Sequence, residues 1–246
     1  MSEYEFKKTT KITFAESNAQ NEIKLSNILR HVGDISSEHL EELKLPYEML
    51  WNEGFVFLLT RLGMRITRRP KALETVTIVT SPRKPRGVQM TRDVTFYAEN
   101  GEELITAQTA WVLADPKTHK ICRPKEFPHT VPIDPLFESD YALIKEKLRR
   151  GEGAKQIGER VVRYSDIDCN DHMNNAVYAD IICDFLPVNL HRERALSECH
   201  ISFVGEARLG SNITIFSEKC DEDTYYIGAD RCEGDRCFEA ILKYKP

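Results

Sequence analysis

An internal duplication is the feature of this sequence that most restricts its fold. Residues 96–107 and residues 229–240 share one pattern of apolar, acidic and small side chains, with Gly101 and Gly234 at matching positions. A glycine between two such runs is typical of the turn of a β-hairpin. A repeated pattern of this kind predicts two copies of one structural unit within the chain.

Each copy also begins with a stretch that is predicted to be helical. Apolar residues recur at helical spacing in both stretches, and they are Leu25, Ile28, Leu29, Val32, Val177, Tyr178, Ile181, Ile182 and Phe185. Asn174 or Asn175 is the expected N-cap of the second helix, and Pro187 is expected to end it. Two copies of a helix followed by strands predict an α+β fold.

A cluster of polar residues stands just before the second helix. Alternate side chains of an extended segment point the same way, so Asp168, Asn170 and His172 are predicted to share one cavity. The N–H groups at the helix start can stabilise a carbonyl oxygen as it becomes negative, an arrangement that suits acyl transfer to water. An alternative interpretation is that these residues are ordinary turn formers, because Asx side chains bond to nearby backbone groups.

Seven residues of this region match the signature of a known family, and they are Asp168, Asn170, His172, Met173, Asn174, Asn175 and Tyr178. In this respect the chain resembles the acyl-acyl-carrier-protein thioesterases of plants and bacteria. The segments Arg92-Asp93 and Trp111-Val112 resemble the amino-terminal half of that family. The resemblance implies two tandem hotdog units, each a long helix wrapped by an antiparallel β-sheet, and it implies substrate contacts for Asn174, Asn175 and Tyr178.

The two halves differ where the polar cluster lies. Asn18, Gln20 and Glu22 occupy the positions that Asp168, Asn170 and His172 occupy later, so only the second half carries the full cluster. We therefore expect residues 1–122 to bind the acyl chain and residues 153–246 to carry the catalytic groups.

Residues 123–152 are expected to link the halves, because their start is rich in proline. A short surface helix is predicted over residues 137–150. In the first half, Trp51 and Phe55 are predicted to contact the acyl chain, with ordinary core packing as the alternative interpretation.

A fourth catalytic candidate is Glu206, since residues 203–208 resemble the family segment that ends in Arg-Glu-Cys. Here Ala207 replaces the cysteine, which excludes a thiol nucleophile at that position. Two mechanisms stay open, attack by a water molecule or attack by Asp168 itself to give a transient anhydride. We favour water, with Glu206 and His172 transferring protons while Asn170 and a helix-start N–H polarise the carbonyl. Cys169 is expected to point away from these groups.

The sequence therefore predicts hydrolysis of fatty acyl-acyl-carrier protein, releasing free fatty acid and ending chain elongation. The alternatives are an acyl-CoA thioesterase, a dehydratase on the same fold, and a hotdog protein that binds acyl thioesters without cleaving them. No cofactor is expected, and no metal site, because the spacing of the candidate ligands matches no standard zinc motif.

The acidic carrier protein is the expected partner, with basic clusters at Arg65–Lys71 and Arg83–Arg86 as candidate docking surfaces. The net charge of −5 argues against a general nucleic-acid binder. No run of about 18–20 apolar residues is present to span a membrane. Seven cysteines without metal spacing favour reduced thiols, and a cytoplasmic location is expected. The oligomeric state is open, with a homodimer as one expectation.

Overall fold

The computed structural model describes residues 4–138, 140–144, 147–231 and 234–246. Within them, the strands form one antiparallel sheet in the order β1-β3-β4-β5-β2-β8-β11-β10-β9-β7, with β6 paired to β5. The strands are β1 Phe6–Lys11, β2 Val56–Ile66, β3 Thr75–Arg86, β4 Gln89–Ala98, β5 Glu103–Ala114, β6 Ile121–Cys122, β7 Lys155–Val161, β8 Leu196–Phe203, β9 Asn212–Lys219, β10 Thr224–Arg231 and β11 Arg236–Tyr244.

Two helices pack against each other and are covered by this sheet. They are α1, Leu25–Glu42, and α3, Asn175–Phe185, and their apolar sides join one hydrophobic core that includes residues from both halves. The shorter helices α2, Tyr47–Asn52, and α4, Val188–Glu193, follow them. The predicted α+β fold with two hotdog units is confirmed, and the two sheets are continuous with each other. No helix of the described residues is long and apolar enough to cross a membrane.

Both hairpins that the duplication predicts are present. The first joins β4 to β5 with Gly101 at φ +83°, and the second joins β10 to β11 with Gly234 at φ +78°. Glycine adopts such positive φ angles without the steric penalty that a Cβ imposes. Cys232 and Glu233, which belong to the second predicted hairpin, lie outside the described residues.

The helix boundaries also follow the sequence signals. The Asn174 side chain accepts a hydrogen bond from the backbone N–H of Ala176 at 2.9 Å, so Asn174 is the N-cap of α3. The helix ends at Phe185, two residues before Pro187, and Leu186 is extended with ψ 155°. An extended residue before proline is expected because the proline ring disfavours the helical conformation there.

The two halves meet where β2 pairs with β8, with Gly63 opposite His200. The chain that connects the halves crosses this junction. A Cβ atom added to Gly63 would lie only 1.9 Å from the backbone carbonyl oxygen of Leu143. The same oxygen lies 2.9 Å from His200 Nδ1. A side chain at position 63 would therefore displace the connecting segment.

The surface helix predicted over residues 137–150 is wrong for the described part of that range, which contains turns and irregular chain. Leu143 and Ile144 are buried against the sheet. Gln108 accepts a hydrogen bond from the Leu143 N–H, and Arg61 donates one to the Ile144 carbonyl. These contacts satisfy backbone groups that a helix would otherwise pair internally.

Candidate active site

The polar cluster lies in a tight turn between two bridged residues, Ile167 and Met173. Asp168 donates its backbone N–H to the His172 carbonyl at 3.0 Å, and its side chain accepts the Asn170 N–H at 2.9 Å. Asp171 has φ +62°. The extended segment that the sequence analysis predicted is therefore wrong, because local Asx hydrogen bonds close the backbone into a turn. In a turn, every second side chain need not point to the same side, so the predicted grouping of Asp168, Asn170 and His172 does not follow from their spacing.

The first half contains the same turn at the corresponding residues. Asn18 donates its backbone N–H to the Glu22 carbonyl at 2.7 Å, and the Asn18 side chain accepts the Gln20 N–H at 3.0 Å. Asn21 has φ +62°, like its counterpart Asp171. The backbone of the turn thus belongs to the repeated unit. The two halves differ in side chains, since Glu22 stands where the second half has His172.

His172 and Glu206 are brought together, although 34 positions separate them in the chain. His172 Nε2 lies 2.9 Å from Glu206 Oε2, with side-chain exposures of 22% and 39%. Backbone contacts fix Glu206, because the next carbonyl, that of Ala207, accepts the Met173 N–H at 2.8 Å. Arg231 also donates to the Glu206 carbonyl at 3.3 Å. Both side chains are half-buried.

The other residues of the signature lie in this turn and in the first turns of α3. Both oxygens of Asp168 accept hydrogen bonds within the turn, from the Asn170 N–H and, at 3.4 Å, from Asn174 Nδ2. Tyr178 is buried, and its hydroxyl donates to the Gly205 carbonyl at 3.5 Å. Burial, with a smaller contribution from Cys237, raises the pKa of Tyr178, so its hydroxyl stays protonated. Asn175 is half-buried at the first turn of the helix.

Tyr47 is a site residue that the sequence analysis missed. Its hydroxyl donates a hydrogen bond to Asn170 Oδ1 at 2.7 Å, across 123 positions and from the first half to the second. Burial raises the pKa of Tyr47, and the nearby Cys169 and Asp168 add to the shift. No local pattern around Tyr47 signals this contact, because it depends on how the halves pack.

Cys169 is exposed beside this contact. The structure brings neither its sulfur nor the Asp168 carboxylate into the His172–Glu206 contact. Within the described residues, no group of three or more His, Cys, Asp or Glu side chains is arranged to hold a metal ion.

A cavity of about 160 Å³ lies in the first half, and Tyr47 is part of its wall. This volume is roughly ten times the ~10–15 Å³ that holds one water molecule. The wall is mainly apolar, and it includes Leu40, Leu45, Leu50, Phe55, Phe57, Met90, Trp111, Val131 and Ile133. Val131 and Ile133 come from the proline-rich connecting segment.

Phe55, a predicted acyl-chain contact, lines this cavity. Trp51 does not, since it lies outside with 38% exposure and its ring against Tyr47.

Comparison with known proteins gives a consistent result. The family model described as acyl-ACP thioesterase N-terminal domain matches residues 3–128, and the acyl-ACP thioesterase C-terminal domain matches residues 151–243. A chloroplastic acyl-[acyl-carrier-protein] hydrolase of Cuphea viscosissima is 23% identical over 195 residues, which are 74% of this chain and 47% of that protein. The chain spans about half the length of the curated relatives it matches.

Two solved structures share the fold over nearly the whole chain. An acyl-ACP thioesterase from Bacteroides thetaiotaomicron superposes with a TM-score of 0.87 at 15% identity, covering 100% of both chains. The 12:0-ACP thioesterase from Umbellularia californica superposes with a TM-score of 0.86 at 17% identity, covering 99% of this chain and 98% of that one. At these identities the likeness establishes the arrangement of helices and strands.

Proposed function

This chain belongs to the acyl-ACP thioesterase family, and on that premise we propose that it hydrolyses the thioester of fatty acyl-acyl-carrier protein and releases free fatty acid, ending chain elongation. The observation that carries the proposal is the position of Tyr47. It lines the apolar cavity and also binds Asn170 in the catalytic turn. An acyl chain inside the cavity would therefore have its thioester beside Asn170, His172 and Glu206.

The proposed reaction uses a water molecule as the nucleophile. Glu206 accepts a proton from the water molecule while the water oxygen attacks the carbonyl carbon of the thioester. The carbonyl oxygen becomes negative and is stabilised by the Asn170 amide and an N–H at the start of α3, near Asn175. The tetrahedral intermediate then expels the thiolate, which takes a proton from the imidazolium of His172, paired with Glu206 at the start of the cycle, and leaves a neutral imidazole. Glu206 returns its proton to His172 through their 2.9 Å contact, which restores both groups.

The hydrogen bonds of the turn support different proposed roles for Asn170 and Asp168. Asn170 Oδ1 is occupied by the Tyr47 hydroxyl, which leaves the Asn170 NH₂ group to donate to the thioester carbonyl. The oxygens of Asp168 are engaged inside the turn, which favours water over an anhydride mechanism. We assign Asp168, Asn174 and Tyr178 to positioning the turn and the strand end that carries Glu206.

The proposed acyl donor is an acidic carrier protein, in line with the names of the relatives. The two predicted basic docking surfaces receive little support from the ion pairs. Arg68 contacts Glu74 and Glu102, and Arg83 contacts Asp93, so these two arginines are already paired with carboxylates of the chain itself. The division into residues 1–122, 123–152 and 153–246, the cytoplasmic location and the homodimer also stay predictions.

The test is release of free thiol from purified protein without added cofactor. Acyl-carrier protein and acyl-CoA would be offered with identical acyl chains of short, medium and long length. We expect release from the carrier protein at several chain lengths, with a higher kcat/KM than from CoA. A higher kcat/KM for CoA at every length would identify an acyl-CoA thioesterase instead. Tight binding of acyl thioesters without any thiol release would indicate a protein that only binds them.

A further inference from the structure

The wall of the acyl cavity contains a buried positive charge. Arg92 projects from β4 into a wall that is otherwise mainly apolar, and it is only 7% exposed. Its Nη1 donates to His39 Nδ1 at 2.9 Å and to Thr80 Oγ1 at 3.1 Å. Among the described residues, no carboxylate lies within 4 Å of this guanidinium, the distance that defines an ion pair.

Both partners of Arg92 are neutral. Burial, together with the charge of Arg92, lowers the pKa of His39 to about 4, so its imidazole is uncharged at neutral pH and accepts the hydrogen bond. Burial also lowers the pKa of Arg92, to about 10, which leaves the guanidinium positively charged at neutral pH. Thr80 carries no charge. The hydrogen bonds orient Arg92 without compensating its charge.

The other charged groups of the cavity do not supply the missing anion. Arg83 is a second cation in the wall, and its Nε lies 2.8 Å from Asp93 Oδ2, so that carboxylate already has a partner. Glu41 is the acidic residue of the lining and is solvent-exposed at the rim. The cavity therefore has more positive than negative charge in its buried part.

An uncompensated buried charge costs several kcal/mol, and a carboxylate that meets a guanidinium can form two parallel hydrogen bonds. A ligand that fits an apolar cavity with such a cation in its wall has an apolar middle and an anionic end. We propose that this cavity accepts acyl chains whose far end is a carboxylate, and that Arg92 binds that carboxylate. The inference rests on the proposed function, since it names the substrate class of the same site.

The kinetic test compares three acyl-carrier protein substrates of equal chain length, ending in a methyl, a hydroxyl or a carboxylate group. We expect the carboxylate-ended chain to have a kcat/KM about tenfold or more above the methyl-ended chain. Arg92→Met should abolish or reverse this ratio. Arg86→Met is the matched control, because it removes a positive charge from the same hairpin outside the cavity, and it should keep the ratio.

Three outcomes would overturn the inference. They are a methyl-ended chain that is preferred by the unmodified protein, a hydroxyl-ended chain preferred over the carboxylate, and a ratio that Arg92→Met leaves unchanged. Replacing a buried charge by an apolar side chain of similar volume is often neutral or stabilising. A melting curve of Arg92→Met should therefore show a folded protein. Arg92→Lys, which keeps the charge, should retain part of the preference if Arg92→Met folds poorly.

A binding measurement separates this inference from the proposed hydrolysis. The His172→Ala variant would be titrated by calorimetry with the monomethyl ester of a dicarboxylic acid and with the methyl ester of the monocarboxylic acid of equal length. The two probes differ in the far carboxylate alone. We expect the carboxylate to bind about tenfold tighter, and this difference to vanish when Arg92→Met is added. Equal affinity would contradict the inference even if the protein hydrolyses thioesters, and tighter carboxylate binding would support it even without turnover.

Discussion

A hydrogen bond between Tyr47 and Asn170 connects the apolar cavity to the turn that carries the proposed catalytic residues. Tyr47→Phe removes this bond and keeps the ring in the cavity wall, so the Asn170 amide would lose its fixed orientation. A hydrogen bond contributes about 0.5–1.5 kcal/mol, which corresponds to a roughly two- to twelvefold lower kcat with little change in KM. Steady-state kinetics with acyl-carrier protein as substrate measure kcat and KM separately. A rise in KM at unchanged kcat would show that Tyr47 only contacts substrate.

Single residues of the candidate site could be proposed from the sequence where a motif contains them. His172, Asn170 and Glu206 stand in motifs, and the N-cap role of Asn174 follows from its residue type and position. The directions of the side chains in the turn could not be predicted from the alternation of an extended strand. The hydrogen bond from the Asn170 N–H to the Asp168 side chain stabilises a turn there instead. Tyr47 could not be found, since its partner is 123 positions away and its surroundings contain no motif.

Helix α1 contains a histidine that makes stability depend on pH. His39 is buried against Phe6 and Arg92, and burial lowers its pKa to about 4 from 6.5. Between these two values the unfolded chain binds more protons than the folded one, so stability falls as the pH falls from about 6.5 toward 4. From pH 7 to pH 5 this amounts to about 2 kcal/mol.

Urea unfolding at pH 7 and pH 5 measures this dependence, and His39→Gln is the control because it cannot titrate. The variant should lose about 2 kcal/mol less between the two pH values than the unmodified protein. Equal losses for both proteins would mean that His39 is not responsible.

The strands and helices around the cavity should set acyl-chain length. Phe57→Ala removes a ring from the cavity wall, so the optimum of kcat/KM should move to longer chains. Trp51→Ala is the control, since Trp51 is a large aromatic residue of the same region that does not line the cavity. Hydrolysis rates across a chain-length series give both optima. A shift with Trp51→Ala and none with Phe57→Ala would place the acyl chain elsewhere.

Secondary structure was predictable where local signals determine it. The stripe of α1 and the glycines of the two hairpins are signals within a few residues, and both give the observed elements. The connecting segment was mispredicted because Leu143 is held by Gln108 and His200, which are distant in sequence. Val131 and Ile133 of the same segment line the cavity, and this too depends on contacts with residues that are distant in sequence.

At the scale of the whole molecule, the junction between β2 and β8 joins the halves into one sheet. Gly63→Ala should displace the connecting segment, because the new Cβ would lie 1.9 Å from the Leu143 carbonyl oxygen. We expect a loss of about 1–3 kcal/mol in the free energy of unfolding. Gly33→Ala is the matched control, since nothing lies within 4 Å of its Cβ in α1. That change should stabilise the protein by about 0.5–1 kcal/mol.

Chemical denaturation of the two glycine variants gives both values. If Gly63→Ala is as stable as Gly33→Ala, the connecting segment does not pack on the junction as described. The two changes have the same effect on the flexibility of the unfolded chain, so their difference reports on the folded state.

The central claim is that His172 and Glu206 act as one unit in thioester hydrolysis, and a double-mutant cycle on kcat tests it most directly. His172→Gln, Glu206→Gln and the double variant would be assayed for thiol release from acyl-carrier protein, with Cys169→Ala as the control and a melting curve for each. Each single change should lower kcat by roughly 10²–10⁴-fold. The double variant should be no slower than the slower single variant, because removing either partner disables the pair. Cys169→Ala should stay near the unmodified rate. The account is contradicted if the two losses multiply in the double variant, or if Glu206→Gln keeps its turnover while Cys169→Ala abolishes it.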